Sequence, residues 1–105
     1  MSELKLQQQC FMWHWNTRPQ ERGLLFMNYN NPKNAIHGAI LKGLGLVAGV
    51  ADMTYLSPSG VVLIEMKYEK GRQSPVQVEW QSKVEAAGYR YEIIRSFEEF
   101  KELIK

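Results

Sequence analysis

ADMTYLSPSGVVLIEMKY, residues 51 to 68, contains two β-rich runs, Ala51 to Leu56 and Val61 to Tyr68, joined by Ser57-Pro58-Ser59-Gly60. Proline and glycine at those positions are strong turn formers, so the stretch reads as an antiparallel hairpin. With Pro58 and Ser59 as the two turn residues, Ser57 faces Gly60, and counting back along both strands sets Asp52 opposite Glu65. Facing side chains on such a pair stand about 4.5 to 5.5 Å apart at Cβ, and like charges there repel. Lys67, two residues past Glu65, shares that face because strand side chains alternate, while Val62, Ile64 and Met66 point the other way into a core.

An Asp, a Glu and a Lys on an open sheet face are ordinarily a solvated set, since exposed ion pairs are common and contribute little. Glu65 is in a different setting. It follows Val61-Val62-Leu63-Ile64, which is apolar at consecutive positions and therefore reads as a central strand covered on both faces. A carboxylate there needs a partner, and between two opposed carboxylates a hard divalent cation is the natural occupant.

Working outward, residues 3 to 16 project as a helix with two apolar faces. Leu4, Phe11, Met12 and Trp15 form one, Leu6, Cys10 and Trp13 the other, and Glu3, Gln7 and His14 form a polar stripe between them. Leu24 to Tyr29 reads as a short strand. Asn31-Pro32 opens a second helix, with Asn as cap and Pro in the first turn, that stops near Gly43 to Gly45. Ser74-Pro75-Val76-Gln77 is a capping box opening a third helix, which Gly88 closes. Tyr89 to Ile94 is a further strand. Ser96-Phe97-Glu98-Glu99 repeats the capping box and starts a last helix with Phe97, Phe100, Leu103 and Ile104 as its apolar stripe. The order α, β, α, β, β, α, β, α describes one mixed α/β domain over residues 1 to 105.

The chain's 105 residues are the common size for a single domain, and 45% apolar with 23% charged residues excludes disorder as the main state. The net charge of +2 is too small to indicate nucleic-acid binding by itself, but the surplus lies in the first half, where Arg22 to Ala51 holds Lys33 and Lys42 and no acid. One cysteine, Cys10, forms no internal disulfide, and no Cys/His spacing fits zinc. Met-Ser-Glu-Leu-Lys lacks the apolar run of a signal peptide, and no later stretch is long enough to span a membrane. A soluble, intracellular, cytoplasmic protein with no membrane partner is expected.

Gly49-Val50-Ala51-Asp52, the hairpin, Ile64-Glu65-Met66-Lys67, Gly71-Arg72-Gln73-Ser74-Pro75-Val76-Gln77 and Gly88-Tyr89 together resemble the virus-type replication-repair nuclease family, VRR-NUC, a branch of the PD-(D/E)XK nucleases. The resemblance runs from about Asn34 to Phe100. It departs from the superfamily pattern at Ala51, where a proline is usual, and that proline supplies backbone restriction, not a ligand. It implies a PD-(D/E)XK restriction-endonuclease-like core, a mixed sheet flanked by helices. It also implies a Mg²⁺- or Mn²⁺-dependent endonuclease of phage or bacterial type, in which Asp52, Glu65 and the Met66 carbonyl bind metal and Lys67 orients or helps deprotonate the attacking water. Gln77 matches a glutamine the family carries after the Glu-x-Lys strand, although the third residue of a capping box is also a structural Gln or Glu. The family's acidic residue in the first helix would correspond to Glu3.

His14 and Cys10 receive no chemical role, and Trp13, Trp15 and Trp80 read as core or interface residues. Gly43, Gly45 and Gly49 lack the Gly-Lys-Ser/Thr of a phosphate loop and read as a helix stop and a close approach. Lys33, Asn34, His37 and Lys42 before the metal strand, with Lys70 and Arg72 after it, are candidates for a basic rim that contacts DNA phosphates. Small stand-alone members of the resembled family cut branched DNA, such as four-way (Holliday) junctions, as homodimers in DNA repair. The face with Leu6, Cys10 and Trp13 is the candidate dimer interface. The competing expectation is a binding module that keeps the fold and the rim without cleaving.

Overall fold

Ser57 faces Gly60 and Met53 faces Ile64 in the computed structural model, which describes residues 1–29 and 32–105. The hairpin thus has the expected register. Its strands are β2 (Met53–Ser57) and β3 (Gly60–Met66). The Ser57 hydroxyl donates to the Gly60 carbonyl at 2.6 Å and accepts from the Ser59 N–H at 3.2 Å, which closes the turn. β1 (Leu25–Met27) lies antiparallel on the outer side of β2, and β4 (Arg90–Ile94) lies parallel on β3, giving the order β1-β2-β3-β4. A parallel pair needs a crossover, and α3 (Pro75–Ala86) supplies it.

Alternation along the strands divides the interior into two layers. Met53, Tyr55, Val62, Ile64, Met66 and Ile94 face α1 (Glu3–Thr17) and α4 (Phe97–Ile104), with Leu6, Cys10, Phe100 and Ile104 completing that core. Leu63, Tyr91 and Ala51 pack on the opposite side with Val84 of α3, and Trp80 and Val61 lie against them. β3 is therefore covered on both faces, as its unbroken apolar run predicts.

The capping box of α3 is complete: Ser74 Oγ accepts from Gln77 N at 3.4 Å, and Gln77 Oε1 accepts from Ser74 N at 2.8 Å. That of α4 is only half formed, because Glu99 reaches past the cap to the Arg95 N–H at 3.2 Å. β1 is shorter than expected, ending where the Asn28 side chain turns away to the Ala51 carbonyl. α2 (Ala35–Gly43) opens three residues after Pro32, capped by Asn34, whose side chain accepts from His37 N at 2.8 Å. The expected cap Asn31 lies outside the described residues.

The larger correction concerns α1. Leu6, Cys10 and His14, at helical spacing, form its core face, and Trp13 meets Phe97 and Phe100 edge-on at 5.9 and 6.1 Å. Leu6, Cys10 and Trp13 are thus spent inside the subunit and are not a dimer interface. The outward face is the other one, with Leu4, Met12 and Trp15 exposed. His14 leaves the expected polar stripe and is buried because Glu21, in a 3₁₀ turn over Pro19–Glu21, satisfies it at 2.9 Å. The Tyr55 hydroxyl donates to the same Glu21 oxygen at 2.9 Å. Among the described residues no helix is long and apolar enough to cross a membrane.

Candidate active site

Glu65 is fully buried at the end of β3, and its two oxygens differ sharply in their surroundings. Oε1 accepts from the Tyr91 hydroxyl and from Gln73 Nε2 at 3.2 Å. Among the described residues Oε2 has no hydrogen-bond partner, and Lys67 Nζ stands 3.8 Å away. A buried carboxylate oxygen without a partner carries a large desolvation cost, so it marks a place built for something else. Lys67 is itself buried with Glu65, on the side of β3 that alternation assigns to both.

Asp52 sits one residue before β2, just beyond the ladder. There its Oδ2 accepts from the Met66 N–H at 2.7 Å, taking the place of the strand partner that β2 no longer provides. Burial pushes the Asp52 carboxyl above the usual range. The negative charges of Glu65 and Glu3 push the same way, against the Met66 N–H and the Lys67 ammonium. Asn28 fixes the backbone on both sides of this aspartate: its N–H donates to the Asp52 carbonyl at 2.8 Å and its side chain to the Ala51 carbonyl at 3.0 Å. The loop leading in must also pass close to α3. At Gly49, with φ +84°, a side chain would collide with the Val76 carbonyl.

The sequence candidates fall into two groups. Asp52, Glu65, Lys67 and Met66 converge at the junction of β2 and β3. Glu3 of α1 reaches the same region: its carboxylate lies 3.0 Å from where a Gly71 side chain would begin, and it lines one cleft with Asp52 and Met66. Gln77 stands at the start of α3 with its side-chain oxygen committed to the cap. Lys70 and Arg72 are exposed on the loop after Lys67. Lys33, Asn34, His37 and Lys42 belong to α2 and its lead-in, where His37 Nδ1 accepts from the Lys33 N–H at 3.0 Å and its ring meets Tyr29.

Among the described residues no three His, Cys, Asp or Glu side chains gather closely enough to hold a metal by themselves. The chemistry of the donor set nevertheless suits a hard divalent cation, which takes oxygen ligands from two carboxylates, backbone carbonyls and water. The unpartnered Glu65 Oε2 and the mutually repelling Asp52 and Glu65 are what such an ion would satisfy.

Sequence reasoning missed three residues. Tyr91 pairs with Leu63 and so shares the face of Glu65 two positions on, which the parallel register of β3 and β4 would have disclosed. Gln73 precedes the capping box and, besides Glu65, donates to Gln81 Oε1 at 2.8 Å. The clamping role of Asn28 depends on the β1–β2 pairing and has no local signal.

No family model and no curated protein matches the chain. A solved structure described as a VRR_NUC domain protein matches it with a TM-score of 0.74 at 18% identity, over 99% of this chain and 85% of that one. The chain therefore shares the fold of that VRR_NUC domain protein, with the expected mixed sheet between helices.

Proposed function

We propose that the chain is a single VRR-NUC-type domain that hydrolyses phosphodiester bonds in DNA with Mg²⁺ or Mn²⁺, acting on branched substrates such as four-way junctions as a homodimer. The observation that carries this reading is the buried Glu65 oxygen without a partner, set between Asp52 and Lys67. Asp52, Glu65 and the Met66 carbonyl would hold the ion, with Glu3 available from α1. When bound, a divalent cation supplies charge against the phosphate's developing negative charge and makes its water more acidic. Lys67, kept from solvent, holds the attacking water in line with the phosphorus and stabilises charge as the P–O bond breaks. Tyr91 and Gln73 hold Glu65 by one oxygen so that the other faces the reaction. Lys70 and Arg72, with Lys33, Asn34, His37 and Lys42, contact phosphates without reading sequence. Gln77 joins the site only if its amide group, opposite the capping oxygen, turns toward the substrate.

Cleavage of labelled four-way junction, flap and linear duplex with Mg²⁺, Mn²⁺ or EDTA tests the proposal. Metal-dependent products that vanish in Asp52→Asn are expected. Tight DNA binding with no cleavage under any metal would instead favour the non-catalytic module.

A further inference from the structure

Glu3, Gln7, Phe11 and Trp15 recur every four residues along α1 and so form one stripe, with Leu4 and Gln8 beside it. All six line a cleft of about 670 Å³ whose other wall is β1 with its flanking residues, 23 to 28. The two walls run in opposite directions. At one end the Asn28 N–H donates to the Asp52 carbonyl at 2.8 Å, and Glu3, Asp52 and Met66 line the cleft there. At the other end Arg22 donates to the Trp15 carbonyl at 2.9 Å, and its guanidinium lies over the Trp15 ring, 5.0 Å from the centroid. Leading away from Asp52, the α1 stripe therefore runs from a carboxylate to a carboxamide and then to two aromatic rings, whose centroids are 5.8 Å apart. Trp15 and, across from α1, Met27 are both exposed.

Among the described residues no lysine or arginine lines this cleft. A nucleic-acid backbone would find nothing in it to neutralise phosphates, and Glu3 and Asp52 would repel them. What fits is an uncharged, flat group with polar edges. Phe11 and Trp15 offer ring surface for stacking, and the carboxamides of Gln7 and Gln8 can both donate and accept along an edge. The bases of a continuous duplex are stacked on both faces and paired at their edges, so only an unpaired base is free to enter. We propose that the cleft seats the base of an unpaired nucleotide whose phosphate lies at the Asp52–Glu65 end. The position of that phosphate rests on the nuclease reading, which the proposal deepens by naming what the site selects. At a branch point pairing is interrupted, and a base there can leave the stack for the cleft while the phosphates stay outside it. Arg22, exposed at the far end, is the cation that the neighbouring phosphate would meet.

The test measures binding in EDTA and not cleavage. Fluorescence anisotropy compares a labelled oligothymidylate, a strand of the same length built of abasic sites, and a blunt duplex. The two strands carry the same phosphates, so their difference reports the bases. The oligothymidylate should bind about tenfold or more tightly than the abasic strand, and that ratio should persist as salt is raised, because stacking releases no counterions. It should also bind more tightly than the duplex. Trp15→Leu keeps an apolar surface without the ring and should weaken oligothymidylate binding roughly tenfold while leaving the abasic strand unaffected. Met27→Glu, at an exposed position in the opposite wall, should abolish the preference for bases with unchanged circular dichroism. If Trp15→Leu loses structure, Met27→Glu decides. Equal affinity for the two strands, a duplex bound as tightly as the oligothymidylate, or a folded variant that keeps the preference would each overturn the proposal. So would a Met27→Glu protein whose sedimentation changes while its base preference does not, since the cleft would then belong to a protein contact. The nuclease reading fails separately: a base preference without metal-dependent cleavage leaves the base site standing, whereas metal-dependent cleavage without a base preference removes it.

Discussion

The Tyr91 hydroxyl donates to Oε1 of Glu65 while Oε2 of the same carboxylate is left without a partner. The pair comes from neighbouring parallel strands, so the orientation of Glu65 is set by the sheet and not by a flexible loop. Burial and the Glu65 charge both push the Tyr91 phenol above its ordinary value, so it is a donor at any working pH. Tyr91→Phe should leave the ring packed against Trp80 and remove the donor alone. Loss of a residue that orients a metal ligand typically costs 10- to 100-fold in metal affinity, and a fall of about that size is expected for Mn²⁺ by calorimetry. Unchanged affinity would mean that Glu65 does not depend on this hydrogen bond, and the positioning role would fail.

Asp52 has two duties that substitution can separate. Asp52→Asn keeps an oxygen to accept from the Met66 N–H and removes the charge that Glu65 and Glu3 oppose. It should melt in EDTA at or slightly above wild type, yet lose cleavage. Asp52→Ala also leaves a part-buried N–H unpaired and should be less stable by about 1 to 3 kcal/mol. A simple opposed pair of carboxylates, as counted from the hairpin register, would predict relief of repulsion in both variants. Melting curves of the two in EDTA distinguish the cases, and an alanine variant as stable as wild type would contradict the backbone role.

Lys67 is the nearest cation to the unpartnered Glu65 oxygen, and both groups are buried. Removing one member of a buried ion pair is destabilising by about 3 to 5 kcal/mol because the other charge is left behind. Lys67→Ala should therefore melt well below wild type in EDTA and regain much of that loss on addition of Mn²⁺, while showing no turnover. If Mn²⁺ raises its melting temperature no more than that of wild type, the ion does not take the place of the ammonium charge.

What was legible in the sequence follows the range of the forces involved. The hairpin register, the Ser74 cap and the stop at Gly45, with φ +111°, are set by residues within a few positions of one another. Asp52, Glu65 and Lys67 could be brought together because one tight turn relates them. Tyr91 and Asn28 enter through pairing with strands distant in sequence, which periodicity does not reveal. The two apolar faces of α1 were visible, but which one faced inward was decided by Tyr55, Phe97 and Phe100, all far along the chain, together with Glu21, seven residues past His14. His14 reads as polar from its type and is buried only because of those partners. Leu6→Glu with Trp13→Glu, which would have split a dimer on the first expectation, should instead unfold the subunit.

The His14–Glu21–Tyr55 cluster gives a pH dependence of stability that is independent of the active site. Burial raises the Glu21 carboxyl, but hydrogen bonds from His14 and Tyr55, with the Arg18 charge nearby, outweigh it and hold the group below its ordinary value. A carboxyl depressed in the folded state contributes stability that is fully present above the unfolded value, about 4.3, and is lost as pH falls through the lower folded value. Asp52, shifted upward, acts in the opposite direction, but does so equally in wild type and in Glu21→Gln. The difference between those two proteins therefore isolates Glu21. Glutamine keeps an oxygen that can accept from Tyr55 and loses the charge, so the variant should be less stable at neutral pH by about 1 to 2 kcal/mol, the margin of a charged over a neutral hydrogen bond. The two denaturation free energies should converge as the pH is taken below about 4.3, where the wild-type contribution disappears. A difference that stays constant from neutral to acid would show that Glu21 is held by packing and not by its charge.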